Sequence, residues 1–230
     1  RALGLQAGAG RGAEAAKPGL PGPDADAVAA AEQRIAETDI EGLLRREWVC
    51  RITAEGSAPE PLWEERRVKL AAVAETLMPG RDLSAAPWLR RRLRRMLDRR
   101  LIAAVMRAEE MRGLRALALP LGLEAVTSAD FLRLDARLPL ALRGALTVVI
   151  EAEDLLSDPE AGALARRWLA LCGHRLGLDL AAPGALALFP PGRTGHGVLR
   201  LAWGEAMPAL GTSGAARLKA ALEAGPEQVV

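Results

Sequence analysis

The feature that most constrains the fold is a recurrence of short apolar segments in the second half of the chain. They begin roughly every thirty residues, at residues 115, 146, 175, 198 and 227. Helix-like stretches separate most of them, most clearly at 158–172 and 214–224. A strand followed by a helix in a unit of this length predicts parallel strands joined by crossovers. We therefore expect an α/β protein, built either as an open doubly wound sheet or as a (β/α) barrel.

The first half of the chain divides into an N-terminal extension and the start of the second region. Residues 1–25 are rich in Ala, Gly and Pro, which predicts a flexible tail. A helix is expected over 26–46, with Asp24 or Asp26 as its N-cap. Residues 47–230 then form one domain, which begins with a predicted hairpin of strands at 48–52 and 62–70. A long amphipathic helix is expected over 88–111.

Composition excludes several classes of function. The chain has 31 Lys and Arg against 29 Asp and Glu, and only 3% aromatic residues, so a nucleic-acid partner is not expected. No apolar run reaches the ~18 residues of a membrane span. The two cysteines, Cys50 and Cys172, form no disulfide framework. We expect a cytoplasmic protein.

Common catalytic and cofactor motifs are absent from the sequence. There is no glycine-rich dinucleotide or phosphate loop after a strand, and no nucleophile elbow. Cys172 and His174 flank Gly173 at a predicted helix end, but they are too few for a zinc site and no third group is visible to orient a catalytic pair. His196 lies in a Gly/Pro-rich stretch and is expected to be solvated.

Between residues 90 and 100, the helix predicted over 88–111 carries seven arginines, most of which point away from its apolar stripe. A solvated face is the simplest interpretation of such a run. Its density also makes it a candidate surface for a partner protein. The residues assigned to that surface are Arg91, Arg94, Arg95 and Arg99.

Three carboxylates, Glu151, Asp179 and Glu205, lie at or just after the ends of predicted strands. In barrels, functional groups collect at the carboxyl ends of the strands. Asp179 stands between Leu178 and Leu180, so it must be paired or bound to something. A ligand or metal contact and a structural hydrogen bond both remain open for it.

With these segments placed, residues 48–230 resemble the EAL domain family. Members are bacterial phosphodiesterases that hydrolyse cyclic di-GMP on a (β/α) barrel with divalent metals. Residues 146–160, LTVVIEAEDLLSDPE, are similar to the family's strand that is followed by a D-P-E helix start. Similar stretches occur at 118–122 with 128–132, at 173–180 and at 199–202. The resemblance implies a TIM-like barrel of the EAL type. Val230 then falls at the sixth of eight strands, so the last strands are missing or cut.

The same resemblance implies that much of the family's metal site is lost. The family's ligands and acids are replaced at four positions, which are occupied here by Pro120, Val149, Leu180 and Ala202. The retained or remnant ligand positions are Glu64, Glu151, Asp179 and Arg200. A pair of divalent metals needs several oxygen ligands to offset its charge, so the loss of three should abolish hydrolysis.

The expected function is therefore that of a catalytically inactive EAL-like domain, without catalytic residues, metal or other cofactor. It would act as a regulatory or interaction module in bacterial signalling, with a protein partner or as a homodimer. One alternative is a non-catalytic cyclic di-GMP receptor that uses Asp179 and Arg200. A less favoured one is an active phosphodiesterase that requires Mg²⁺ or Ca²⁺.

Overall fold

The structure is a computed structural model. It describes residues 20–37, 40–51, 58–112, 116–180, 188–189, 197–201, 216, 219–220 and 228–229. The first 19 residues of the tail predicted over 1–25, most of the predicted helix at 214–224, and His196, Ala202 and Glu205 lie outside the described residues.

From residue 44 onward, the described elements begin with a strand hairpin and continue with strands separated by one or more helices as far as Leu180. The strands are β1 (Leu44–Arg51), β2 (Glu60–Val68), β3 (Leu117–Pro120), β4 (Leu146–Glu151), β5 (Arg175–Leu180), β6 (Val198–Leu201) and β7 (Gln228–Val229). The helices are α1 (Ala25–Glu37), α2 (Leu70–Leu77), α3 (Pro87–Val105), α4 (Ala108–Met111), α5 (Leu123–Val126), α6 (Ala129–Arg137), α7 (Ala152–Ser157) and α8 (Pro159–Leu171). None of these helices is both long enough and apolar enough to cross a membrane.

The strands form one sheet in which spatial order follows chain order from β1 to β7. The hairpin of β1 and β2 is antiparallel, and every later pairing from β2 to β7 is parallel. A doubly wound sheet reverses its strand order at a switch point. No reversal occurs among the described strands, so the winding is that of a barrel.

The sheet is strongly curled, which the contact between Arg200 and Glu65 demonstrates. Arg200 lies on β6 and Glu65 on β2, yet their side chains form an ion pair. Four strand spacings of about 4.8 Å would separate these positions by roughly 19 Å in a flat sheet. The six parallel strands therefore form a half-barrel, and β2 and β6 face each other across its concave side.

Helices cover the convex side of the sheet and enclose the main core. Leu117, Leu119, Val148 and Ile150 point outward from β3 and β4 into a buried cluster with residues of α3, α5, α6 and α8. A second cluster joins α1, α2 and the first half of α3. The outward residues alternate with those that face the concave side, as side chains do along any strand.

Local signals place the helix starts as the sequence predicts. The Asp24 carboxylate accepts a hydrogen bond from the Ala27 N–H at 2.8 Å, and Asp158 caps α8 by accepting from Ala161 at 2.9 Å. Pro159 follows Asp158 at the first position of α8, where its missing N–H costs nothing.

Two predicted helices end earlier than the sequence pattern indicates. The helix expected over 26–46 ends at Glu37, because a 3₁₀ turn at Ile40–Leu43 follows and Leu44 already pairs with Val68 of β2. The helix expected over 88–111 ends at Val105. Arg107 has extended backbone angles there, so the last four residues form the separate helix α4.

Candidate functional site

The concave face of the half-barrel holds the side chains that alternate with the outer core. Its apolar part is a buried cluster that joins Val49, Trp63, Ala118, Val149 and Val198 from five strands. Towards the carboxyl ends of the strands, the concave face is lined by charged side chains instead. The concave face is therefore apolar at its centre and charged near one edge.

Alternating charges cross this face between β1 and β5. Glu47 is ion-paired with Arg67, and a guanidinium nitrogen of Arg67 lies 3.8 Å from Glu65 Oε1. Glu65 is ion-paired with Arg200, whose Nη1 lies 3.3 Å from Asp179 Oδ2. We call these five residues the concave ion network.

Most of the concave ion network is removed from water. Glu65 is fully buried, and Arg67, Asp179 and Arg200 are each less than 10% exposed. Buried charges are tolerated when they are paired, because an unpaired one loses its hydration without compensation. Burial alone would raise the pKa of Glu47 at the rim, but Arg67 and Lys69 reverse the effect and hold this pKa below its usual value. The three carboxylates of the network thus face its two guanidiniums and the Lys69 ammonium, so their charges are compensated within the chain.

Three positions near this network that the resemblance marked as lost, Pro120, Val149 and Leu180, have side chains without an oxygen ligand. Pro120 and Val149 are opposite each other in the sheet and both are buried. Leu180 faces the other way, into an apolar cluster with Leu178 and Leu199. The structure therefore places three of the four positions that resemblance marked as lost in apolar surroundings.

Glu64 and Glu65 point to opposite faces of β2, and the structure distinguishes their roles. Glu64 Oε1 lies 2.8 Å from Nε of Arg66, and Arg66 in turn pairs with Glu110 of α4 at 2.9 Å. Glu64 is therefore on the helix-covered side, away from Asp179 and Arg200. The acid that joins them is Glu65, which the sequence reading did not select as a remnant. The alternation of side chains along β2 was the signal that could have identified it.

Glu151 lies opposite Asp179 in the sheet and takes part in a second charged cluster. Nη1 of Arg94 is 2.7 Å from Glu151 Oε1 and 3.6 Å from Asp154 Oδ2, while its Nε is 4.0 Å from Asp98 Oδ2. Asp98 also accepts a hydrogen bond from the Gly122 N–H at 2.8 Å. The Arg94 guanidinium thus lies within 4.0 Å of three carboxylates, near the carboxyl ends of β3 and β4.

The pKa values in this second cluster reflect burial. Burial raises the pKa of Asp98 to about 6, although the Arg94 charge and the Gly122 N–H act in the opposite direction. Burial also raises the pKa of Asp154, again against the influence of Arg94. The cluster is therefore sensitive to pH in the mildly acidic range.

The arginines proposed as a partner surface do not all face the same environment. Arg94 is only 17% exposed and is held by its carboxylates, so it is not available as surface. Arg95 is half exposed and pairs with Glu124 at 3.0 Å. Arg91 and Arg99 are exposed on the same side of α3. The available surface consists of Arg91, Arg95 and Arg99.

Comparison with known proteins gives a structural match but no match in sequence. No family model matches the chain, and no curated protein matches it. The structure resembles the S helix-GGDEF-EAL portion of Vibrio cholerae LapD bound to c-di-GMP, with a TM-score of 0.53 at 14% identity over 86% of this chain. It also resembles the EAL domain of FimX, with a TM-score of 0.51 at 13% identity over 87% of this chain.

The two matches differ in how much of the other protein they cover. This chain spans 46% of the LapD chain, less than half of it, and 81% of the FimX EAL domain. The likeness to LapD thus concerns only part of that protein. Both matches concern the fold, and the chain has an EAL-like fold.

Proposed function

We propose that this chain is a catalytically inactive EAL-like domain that acts as a regulatory or protein-interaction module in bacterial signalling linked to cyclic di-GMP. The observation that carries the proposal is the position of Arg200. Its guanidinium pairs with both Glu65 and Asp179 on the concave face, where the resemblance implies that metal ligands should gather.

The charge balance at this position argues against a divalent cation. Catalytic metal pairs about 3.5–4 Å apart depend on several oxygen ligands. Here two carboxylates share a cation that belongs to the chain, and neighbouring Pro120 and Val149 offer no side-chain oxygen. A metal would have to displace a buried guanidinium, which would then lose both of these carboxylate partners. We infer that the site works without Mg²⁺ or Ca²⁺.

The signalling context rests on analogy of fold. The solved structures that this chain resembles include LapD, whose EAL-containing portion was captured with c-di-GMP, and an isolated EAL domain of FimX. A shared fold does not by itself carry a shared function. We therefore assign the class of pathway, with a cytoplasmic location, as part of the proposal.

A non-catalytic cyclic di-GMP receptor is the second candidate, since LapD was captured with that nucleotide. In that case Arg200 would bind a phosphate of the ligand. To do so it would have to leave Glu65, which is fully buried, and Asp179. This cost favours a partner protein or a second copy of the chain over the nucleotide.

The proposal is tested by a turnover assay with cyclic di-GMP in the presence of Mg²⁺ and then Mn²⁺. We expect no hydrolysis above the rate in buffer. Asp179→Ala is the matched control, because it removes the acid that the resemblance retains. Turnover in the wild type that disappears in Asp179→Ala would show an active phosphodiesterase. Turnover of equal rate in both proteins would point to a contaminating enzyme.

A further inference from the structure

A cluster of three different metal-ligating side chains lies at the other end of the sheet. Asp135 is on α6, Cys172 follows the last residue of α8, and His174 precedes β5. His174 Nε2 is 2.7 Å from Asp135 Oδ1, and one ligand atom from each of the three residues lies within 4.8 Å of the other two. This cluster is on the amino-terminal side of β5, whereas Asp179 is near the carboxyl end.

The backbone fixes Cys172 and His174 in place. Gly173 has φ of +75°, a conformation that strongly favours glycine. The N–H of Gly173 donates to the Ala170 carbonyl at 3.1 Å, and the N–H of His174 donates to the Leu169 carbonyl at 2.8 Å. These two bonds form a Schellman motif at the end of α8. The motif turns both side chains towards the same point on α6.

The imidazole ring is also held from the side. His174 has a fully buried side chain, and the ring of Phe131 packs edge-on against it with centroids 6.2 Å apart. Asp135 and Cys172 are only partly buried. The cluster therefore has a rigid inner ligand and two outer ones that solvent can reach.

We propose that Asp135, Cys172 and His174 bind Zn²⁺, with the fourth coordination position open to water. Thiolate, imidazole and carboxylate are the ligands that zinc prefers, and three protein ligands with one open position is a common arrangement. Tetrahedral bonds of about 2.0–2.1 Å need a nitrogen–oxygen separation of roughly 3.3 Å. The present 2.7 Å contact has to open by about 0.6 Å, which rotation of the partly exposed Asp135 side chain provides.

A catalytic thiol is the competing interpretation, and the surroundings of Cys172 oppose it. Burial together with the Asp135 charge raises the pKa of the Cys172 thiol. A nucleophilic cysteine requires a thiol whose pKa is lowered by positive charge of the protein itself, whereas a bound metal ion deprotonates the thiol that coordinates it. The zinc proposal is independent of the function proposed for the concave face.

The probe for this site is Co²⁺, because it occupies zinc sites and reports on its ligands by absorption. The full chain is purified without a histidine tag, kept reduced, and titrated with Co²⁺ and then Zn²⁺. We expect a thiolate-to-cobalt charge-transfer band, intense tetrahedral d–d bands, and loss of both on addition of Zn²⁺. Absence of the charge-transfer band in the folded wild type would overturn the proposal without any variant.

Variants then locate the ligands. Cys172→Ser and His174→Gln should each weaken Zn²⁺ binding by at least about 100-fold, since loss of even an outer-shell partner costs 10–100-fold. Cys50→Ser and His196→Gln are matched controls, because they remove the other cysteine and histidine of the chain. We expect these controls to bind within about twofold of the wild type. Equal weakening by Cys50→Ser and Cys172→Ser would contradict the site. If Cys172→Ser does not fold, Asp135→Asn replaces it.

Discussion

Removal of the Arg200 guanidinium should destabilise the fold strongly. In Arg200→Met, the fully buried Glu65 and the nearly buried Asp179 both lose this cation. Breaking a buried ion pair by removing one partner typically costs about 3–5 kcal/mol. For a chain of 230 residues, each kcal/mol lowers the melting temperature by about 2–4 °C, so we expect a fall of roughly 6–20 °C.

The assay is urea denaturation followed by circular dichroism at pH 7, with thermal melts as a second measure. Arg51→Met is the matched control, because Arg51 is also on a strand but pairs with Glu60 at 3.5 Å, and both side chains are well exposed. Exposed pairs contribute about 0–1 kcal/mol. The double variant Glu65→Gln/Arg200→Met should cost less than the sum of the two single changes, because it removes both members of one pair.

Divalent cations provide a further arm of the same experiment. If Arg200 takes the place of a metal between two carboxylates, Ca²⁺ should raise the melting temperature of Arg200→Met and leave that of the wild type unchanged. The reasoning is refuted if Arg200→Met and Arg51→Met differ by less than about 1 kcal/mol, the range of an exposed pair.

Three further predictions concern α3. The pKa of Asp98 is about 6 in the folded protein, against an ordinary value of 3.8. The folded state therefore holds more protons between these pH values, and stability falls as pH rises through them. Between pH 7 and pH 4, the free energy of unfolding of the wild type in urea should therefore rise by about 2–3 kcal/mol relative to that of Asp98→Asn. Parallel pH dependences of the two free energies would contradict this. Arg94→Met should lower the free energy of unfolding by about 3–5 kcal/mol. Arg95→Met should lower it by about 1 kcal/mol or less, because the partner of Arg95 is exposed. Equal losses in urea denaturation would refute the burial argument. The double variant Arg91→Glu/Arg99→Glu should change the free energy of unfolding by no more than about 0.5 kcal/mol. The same variant should abolish self-association or partner binding in analytical ultracentrifugation. Unchanged association would remove this surface from the proposal.

The sequence was most informative where local periodicity and burial agree. The strands at 146–151 and 175–180 have the bounds that their apolar runs predict, and Asp158-Pro159 marks the start of α8 as expected. The parallel winding also followed from the spacing of the strands. The spacing could not distinguish an open sheet from a barrel, because that difference depends on the curl of the sheet that brings β2 close to β6.

Side-chain direction was the first thing that sequence spacing could not supply. Glu64 and Glu65 are adjacent acids in one strand, and a shift of a single residue moves an acid from the concave face to the helix-covered face. Arg94 posed the same problem on α3, where a helical wheel placed it among exposed arginines. In the structure the ends of β4 and α7 reach over it and bury it with Glu151 and Asp154.

Contacts between distant parts of the chain were the second feature that sequence spacing could not supply. Cys172 and His174 stood without a third ligand in the sequence, since Asp135 lies 39 residues before His174. The packing of α6 against the end of α8 supplies that ligand. The ion pair between Glu65 and Arg200 is of the same kind, because only the closure of the sheet creates it.

The measurement that tests the central claim most directly is isothermal titration calorimetry of cyclic di-GMP into the wild type, with Ca²⁺ and then with a chelator. The concave ion network is complete without a metal or a nucleotide. We therefore expect no binding heat in either buffer at about 300 µM nucleotide. A dissociation constant above this concentration corresponds to a binding free energy weaker than roughly 5 kcal/mol. Saturable binding at micromolar concentration that requires Ca²⁺ and is lost in Asp179→Ala would contradict the account, and would make the concave face a metal-dependent nucleotide site.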